Sequence, residues 1–192
     1  MDKFNGIDMS VWQGRQDPED GELALRWHDR VQPWQGNREP GVVLLGFACD
    51  EGVRRNKGRV GAAGAPLAVR KLLANTAWHL GAPVYDGGDM ACEDGDLDAA
   101  HGRVAERVAS ALDQGHFPLV LGGGHEVAFG SWSGLNRHLG GEGRVGIINF
   151  DAHFDLRMKQ EQASSGTPFF QIAEQCAAQG TPFHYALSLI HI

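Results

Sequence analysis

Three continuous apolar segments, interspersed with stretches that can form helices, most constrain what this chain can fold into. They read VVLLGFA (42–48), FPLVLGGGH (117–125) and VGIINFDAH (145–153). Segments of this length that are rich in branched residues are typical of strands buried on both faces, as in parallel sheets. The sequence also predicts helices at 64–80, 98–114, 127–138 and 170–178. This alternation of strand and helix predicts an α/β domain with a mostly parallel sheet.

The remaining segments are less regular. Residues 1–40 are polar and contain three prolines and three tryptophans, which predicts an irregular N-terminal segment wrapped on the body, with room for a helix at 22–31. The basic stretch after the first strand and the acidic stretch at 86–98 are predicted to be loops, and 83–85 a short strand. We find no internal repeat and no low-complexity linker, so 1–192 is interpreted as a single domain.

Composition excludes several classes of protein. The 192 residues are 42% apolar and 21% charged, which is the balance of a globular chain rather than a disordered one. Acidic residues outnumber basic ones 24 to 17, and the net charge of -7 argues against nucleic acid or an anionic membrane as the main partner. No apolar run is long enough for a membrane span, the N-terminus is unlike a signal peptide, and the three cysteines lack paired spacing. A cytoplasmic location is therefore expected.

Two polar segments at the ends of predicted strands carry the candidate chemistry, GGGHE (122–126) and DAHFD (151–155). Side chains of a strand alternate in direction, so Asp151, His153 and Asp155 are expected to project to one side. The carboxyl ends of parallel strands meet at the edge of the sheet where ligands bind. If the two strands are neighbours, His125 joins these three residues, and two imidazoles and two carboxylates converge.

Such a convergence favours a metal ion. Two partly buried carboxylates repel each other unless a cation neutralises them. Nitrogen and oxygen ligands without a thiolate fit Mn²⁺, and Zn²⁺ less well. An aspartate at 151 could bridge two ions about 3.5–4 Å apart, with a hydroxide between them as the nucleophile. The alternative is that these residues only form turns and helix caps, which would leave their i, i+2, i+4 spacing unexplained.

The glycine run at 122–124 has two interpretations. It could cradle a phosphate, but the dinucleotide-binding fingerprint fails at Val127 and no P-loop pattern is present. Close packing, which lets the chain turn sharply and brings His125 inward, is the favoured interpretation.

At these residues the chain resembles the ureohydrolase family, which includes arginases and agmatinases. GGGHEVAFGS resembles the first metal motif of the family and NFDAHFDLR the second, and the resemblance extends from Trp12 to Tyr185. Three further details resemble its formimidoylglutamase branch. They are the N-terminal WQGRQDPEDGELALRWHDRV, the loop GFACDEGVRRNKGRVGAAGAP, and SSGTPF (164–169) after the second motif.

The resemblance implies a three-layer α/β/α fold, like that of arginase, around a binuclear manganese centre with two Mn²⁺ per full-length subunit. His125 and Asp155 would bind one ion, His153 the other, and Asp151 would bridge them. The implied activity is hydrolysis of N-formimidoyl-L-glutamate to L-glutamate and formamide in histidine breakdown, by attack of a hydroxide on the formimidoyl carbon. The full-length protein could be a homo-oligomer.

The implied substrate is a small dianion, so cationic side chains are expected around it. Arg157, which follows the second motif, is one candidate, and Arg54, Arg55 and Arg59 after the first strand are others. A solvated charged loop is an equally good interpretation of any one of these arginines. Ser165 stands near the place where arginase-like members have a proton-shuttling histidine, which favours the formimidoylglutamase branch and leaves the general acid unassigned.

The third metal motif of the family, S-x-D-x-D-x-x-D-P, does not occur, since no aspartate follows Asp155. Four of the six metal ligands would remain, so we expect a C-terminally truncated, inactive fragment with an incomplete fold. Residues 186–192 are predicted to be a non-native tail. The alternative activity is that of another ureohydrolase, such as an agmatinase or guanidinobutyrase. A metal-free α/β binding module is the alternative from another class.

Overall fold

The fold is built on two sheets, and a computed structural model describes it over residues 4–5, 7–35, 39–141, 144–159 and 161–188. In the larger sheet, β3 (Val42–Ala48) lies between β4 (Val84–Ala91) and β5 (Phe117–Gly122), and all three strands are parallel. Two short strands also pair with β4: β1 (Phe4–Asn5) is antiparallel to it and β2 (Gln32–Pro33) is parallel. The predicted mostly parallel α/β architecture is confirmed.

The smaller sheet consists of β6 (Gly146–Phe150) and β7 (His184–Ser188), which are parallel. In the described part of the chain, β5 pairs with β3 and not with β6. The two strands that precede the candidate site residues are therefore not neighbours in one sheet, contrary to the condition under which we expected convergence. Of the predicted tail at 186–192, residues 186–188 belong to β7, and 189–192 lie outside the described residues.

Within the described residues, six helices and three 3₁₀ segments accompany the strands. The helices are α1 (Trp27–Arg30), α2 (Glu51–Arg55), α3 (Ala65–Ala74), α4 (Leu97–Asp113), α5 (Val127–His138) and α6 (Pro168–Gln179). The 3₁₀ segments are Met9–Val11, Pro18–Ala24 and Ala62–Gly64. No helix in the described ranges is both long and apolar enough to cross a membrane.

The central strand β3 is covered on both faces. Its consecutive residues Leu44 and Leu45 point in opposite directions, and both are fully buried. Leu45 belongs to a core cluster that includes Val104 of α4, whereas Leu44 packs with Trp12 and with residues around the end of α3. Helices therefore lie on both sides of the sheet, which gives three layers.

A buried ion pair joins the second of these helix layers to the sheet. Arg70 of α3 is 4% exposed and Asp86 of β4 is 1% exposed. The Arg70 Nε and Nη2 atoms donate to the two carboxylate oxygens of Asp86 at 2.8 and 2.9 Å, and Trp12 Nε1 donates to Oδ2 at 2.7 Å. The buried carboxylate thus holds the N-terminal segment, α3 and β4 together.

The structure differs from the predicted secondary structure mainly in two charged stretches and at the ends of two predicted helices. The acidic stretch from residue 86 begins within a strand, because Asp86 is neutralised by Arg70 and β4 continues to Ala91. The basic stretch predicted to be a loop begins with α2, in which Arg54 and Arg55 pair with Glu51. The predicted helix at 64–80 ends at Ala74. Residues 22–31 divide between the end of a 3₁₀ segment and α1.

The buried histidine of α4 predicts a specific loss of stability in acid. His101 lies between Phe47 and Phe129, and burial lowers the pKa of its imidazole to about 4. Since the unfolded chain binds this proton near pH 6.5, the free energy of unfolding should fall as the pH drops from about 6.5 towards 4, by at most about 3 kcal/mol from this residue.

We expect His101→Phe to flatten that dependence, because it keeps an aromatic ring in the core and removes the titrating group. The measurement is urea unfolding at several pH values between 4 and 7. His79→Gln, at an exposed histidine, is the control and should retain the parent slope. If the free energy of unfolding of His101→Phe falls between pH 6.5 and 4 as steeply as that of the parent, the buried imidazole is not the cause of the pH dependence.

Candidate metal centre

The first site segment is a glycine turn between β5 and α5. The backbone N–H of Gly123 donates to Phe47 O at 2.9 Å, and that of Gly124 donates to Cys49 O at 3.2 Å. A Cβ atom on Gly123 would lie 2.2 Å from Cys49 O, so a larger residue cannot occupy this position without moving the backbone. Close approach to the end of β3 is therefore what this glycine provides, and it sets the position of His125.

The second site segment is a loop and not the extension of a strand. β6 ends at Phe150, and the Asp151 carboxylate accepts a hydrogen bond from the backbone N–H of His153 at 2.9 Å, which turns the chain. Asp155 has a left-handed backbone with φ of 44°. The predicted strand at 145–153 is thus too long, and the alternation of side chains that we expected does not apply.

Three of the four predicted ligands nevertheless converge. His125 Nδ1 lies 2.5 Å from Asp155 Oδ2 and 3.0 Å from Asp151 Oδ2. The three side chains are partly buried, at 31%, 17% and 24% exposure in that order. One donor atom from each lies within 4.8 Å of the others. An imidazole nitrogen facing two carboxylate oxygens is a donor set suited to a divalent cation such as Mn²⁺.

The fourth predicted ligand, His153, lies at the edge of this cluster. Its Nδ1 atom is 3.5 Å from Asp151 Oδ1, and its side chain is 81% exposed. The two carboxylate oxygens of Asp151 therefore face different histidines, Oδ2 facing His125 and Oδ1 facing His153. This is the arrangement that a bridging carboxylate would have, although His153 does not join the three-residue group.

The charges of the cluster act on the imidazole of His125. The hydrogen bond to Asp155 raises the pKa of His125, and the charges of Asp155 and Asp151 add to the effect, while burial opposes it. A proton on this ring offsets the two carboxylates. A metal ion that binds through the same nitrogen must displace that proton, so binding releases it.

A buried glutamate next to His125 was assigned no role from the sequence. Glu126 is fully buried, and its Oε1 atom accepts from the backbone N–H of Gly52 in α2 at 3.0 Å. A Cβ atom on Gly52 or Gly124 would lie 2.6 Å or less from this carboxylate, so both glycines leave room for it. Glu126 therefore ties the turn that carries His125 to the start of α2. The one sequence feature that could have indicated a role for Glu126 is its position in GGGHE, directly after the candidate ligand His125.

A cavity of about 960 Å³ lies at the C-terminal end of α2. Residues from the end of α2, the segment after Asp155 and the turn before α6 line it, among them Arg55, Lys57, Arg157, Glu161 and Thr167. The parts are connected directly, since Arg157 N–H donates to Gly166 O and Ser165 N–H donates to Gly52 O, each at 3.0 Å. Arg157 of this wall follows Asp155 by two residues along the chain, and none of the four predicted ligands is among the described residues that line the cavity.

Only two of the five residues predicted to bind substrate are among the described residues that line this cavity. Arg157 and Arg55 line the cavity, but Arg55 is held by Glu51 and by the carbonyl oxygens of Gly95 and Ala163. The other three, Arg54, Arg59 and Ser165, are not among the described residues that line it. Arg54 pairs with Glu51, Arg59 is exposed, and Ser165 is half-buried beside Gly52.

The fold and the cluster define an α/β protein with a metal-type ligand set beyond the carboxyl ends of parallel strands. The sequence pattern of the arginase family matches residues 40–188, and the chain belongs to that family. It is 87% identical over 188 residues to the formimidoylglutamase of Aeromonas hydrophila, covering 97% of this chain and 60% of that protein. It is 58% identical over 179 residues to the formimidoylglutamase of Chromobacterium violaceum, covering 93% of this chain and 57% of that protein.

Solved structures agree with this membership. Trypanosoma cruzi formiminoglutamase with Mn²⁺ is 34% identical with a TM-score of 0.64, over 72% of this chain and 50% of that chain. Bacillus subtilis formimidoylglutamase, at 22% identity, has a TM-score of 0.71 over 85% of this chain and 51% of that chain, and supports the fold alone. The resemblance to ureohydrolases, and to formimidoylglutamases among them, is confirmed. The chain spans about 60% of the length of the A. hydrophila relative.

Proposed function

We propose that this chain is part of a manganese-dependent formimidoylglutamase, which hydrolyses N-formimidoyl-L-glutamate to L-glutamate and formamide in histidine breakdown. The observation that carries the proposal is the convergence of His125, Asp151 and Asp155 on one point. High identity to relatives with this name supports the choice of reaction. The cytoplasm is the proposed location, and a homo-oligomer the proposed form of the full-length protein.

The residues present fit a manganese centre. His125 and Asp155 would hold one ion, His153 the second, and Asp151 both, so that a full-length subunit holds two Mn²⁺. When bound, the metal would polarise the substrate and lower the pKa of a water molecule. The side chains themselves fix the donor atoms, and the two carboxylates provide the negative charge that balances the ions.

The cavity supports an anionic substrate over a cationic one. Arg157 and Lys57 contribute positive charge to its wall, and Arg55 does so while paired with Glu51. Glu161 is the carboxylate among its described lining residues. A dianion such as formimidoylglutamate suits this wall better than agmatine, which is the substrate of the rival activity.

A comparison of substrates tests the proposed function. The C-terminally extended chain, at the length of its relatives and loaded with Mn²⁺, is expected to hydrolyse formimidoylglutamate at least about a hundredfold more efficiently than agmatine, because agmatine brings a cation to a cationic wall. Release of glutamate and of urea are the two readouts. A preference for agmatine would contradict the proposed activity and indicate an agmatinase instead.

The 192-residue chain itself is expected to show no measurable turnover. With Asp151 as its one shared carboxylate, the ion at His153 would have too few ligands for tight binding. The same assay with added Mn²⁺ checks this, with the extended chain as positive control. Turnover by the short chain would show that the described residues already contain a complete catalytic centre.

A further inference from the structure

The structure assigns Lys57, which the sequence-based candidates omitted, to recognition of the substrate's side-chain carboxylate. This inference rests on the proposed function and deepens it. Lys57 lies directly after α2 and lines the cavity together with Asn56 and Arg157. Arg157 Nη1 donates to Asn56 Oδ1 at 3.1 Å, so the two segments that bear these cations are held together at the cavity wall.

The neighbouring cations are held by the protein itself. Glu51 accepts from Arg55 Nε at 2.6 Å and from Arg54 Nη2 at 2.7 Å, and these hydrogen bonds hold the pKa of Glu51 below its ordinary value although burial would raise it. Arg55 Nη1 donates to the carbonyl oxygen of Ala163 and Nη2 to that of Gly95. Lys57 therefore differs from Arg55, because its ammonium group belongs to an exposed side chain on the cavity wall.

The backbone of Lys57 is a second and independent observation. Its φ is 60°, in the left-handed region, and apart from Asp155 it is the non-glycine residue with positive φ in the described ranges. The hydrogen bonds from Lys57 N to Arg54 O and from Gly58 N to Val53 O form the turn that ends α2, in which this position favours glycine. A lysine in a conformation that favours glycine supports the inference that the Lys57 side chain has a role.

Apart from Arg55, which is paired with Glu51, the described wall thus offers two cations to a substrate with two carboxylates. Arg157 follows Asp155 by two residues and suits the α-carboxylate, which is closer to the reacting amidine. Lys57 lies on the other segment of this wall, next to Asn56, and suits the side-chain carboxylate. The turn before α6 brings the positive end of that helix to the same wall, since Thr167 precedes its first residue and lines the cavity.

The test compares Lys57→Gly with the parent enzyme in the C-terminally extended, Mn²⁺-loaded chain. We expect KM for formimidoylglutamate to rise about tenfold or more with little change in kcat, because the lost contact is made equally in ground and transition states. KM for N-formimidoyl-L-alanine, which lacks the side-chain carboxylate, should not change. Glycine removes the backbone strain, so the variant should melt at the parent temperature or above it. Lys57→Arg should restore most of the affinity.

Lys71→Gln, at an exposed lysine on α3, is the matched control and should leave both KM values unchanged. Direct binding of glutarate, followed by calorimetry, separates the inference from the proposed function. If the parent does not hydrolyse formimidoylglutamate, the proposed function fails, and a tenfold loss of glutarate binding in Lys57→Gly would still support the site. An equal KM for formimidoylglutamate in Lys57→Gly and parent, or equal glutarate binding, would overturn the assignment.

Discussion

Replacement of Asp151 by alanine is expected to lower the Mn²⁺ affinity of the 192-residue chain by about a hundredfold or more, which exceeds the usual effect of losing a residue that only supports a ligand. Asp151 places one carboxylate oxygen 3.0 Å from His125 Nδ1 and the other 3.5 Å from His153 Nδ1. The substitution therefore removes a donor from both positions. Calorimetry, or the electron paramagnetic resonance signal of free Mn²⁺, measures the change.

Asp113→Ala is the matched control for Asp151→Ala. Asp113 also contacts a histidine, with its carboxylate 2.6 Å from His138 Nδ1, but this pair lies at the exposed ends of α4 and α5. Mn²⁺ affinity should be unchanged in this variant. If Asp151→Ala also binds Mn²⁺ like the parent, the cluster around Asp151 is not where the ion binds, and the proposed metal centre is wrong.

The largest effect on stability is expected at Asp86. Its substitution by alanine leaves Arg70 buried without its main partner and removes the acceptor of Trp12 Nε1. Breaking a buried pair on one side costs about 3–5 kcal/mol. The midpoint of urea unfolding, followed by tryptophan fluorescence and circular dichroism, measures the loss.

Asp89 provides the comparison, because it bonds to the same arginine from a more exposed position. Its carboxylate lies 2.6 Å from Arg70 Nη1, and its side chain is 28% exposed. Asp89→Ala should cost about 1 kcal/mol, in the range of partly solvated pairs. Equal losses in the two variants would show that burial of the Asp86 pair does not determine its contribution.

The pattern of apolar residues predicted the central strand of the sheet. Charged residues within β4 prevented the prediction of its full length. The segment 42–48 is a strand as predicted, because its side chains are apolar on both faces. β4 could not be recognised beyond residue 85, since Asp86 and Asp89 are typical of a loop until a buried arginine from α3 is known to pair with them. Such long-range neutralisation leaves no local signal in the sequence.

The candidate site was predictable in its residues and less so in its geometry. The spacing of Asp151, His153 and Asp155 led us to expect one strand face, but the strand ends at Phe150 and the loop that follows turns His153 outwards. The turn depends on a bond from the His153 backbone to Asp151, which competes with strand continuation. Glu126 bonds to α2 and Lys57 lies just after it, but the segment that forms α2 had itself been predicted to be a loop.

Metal-dependent product formation distinguishes a manganese hydrolase from a metal-free protein. The C-terminally extended chain, stripped of metal by chelation and reconstituted with Mn²⁺, should convert formimidoylglutamate to glutamate and formamide in equal amounts, and the chelated sample should not. Folding of both samples is followed in parallel by circular dichroism. Absence of turnover in the folded, Mn²⁺-loaded protein, or equal turnover before and after chelation, would contradict the account.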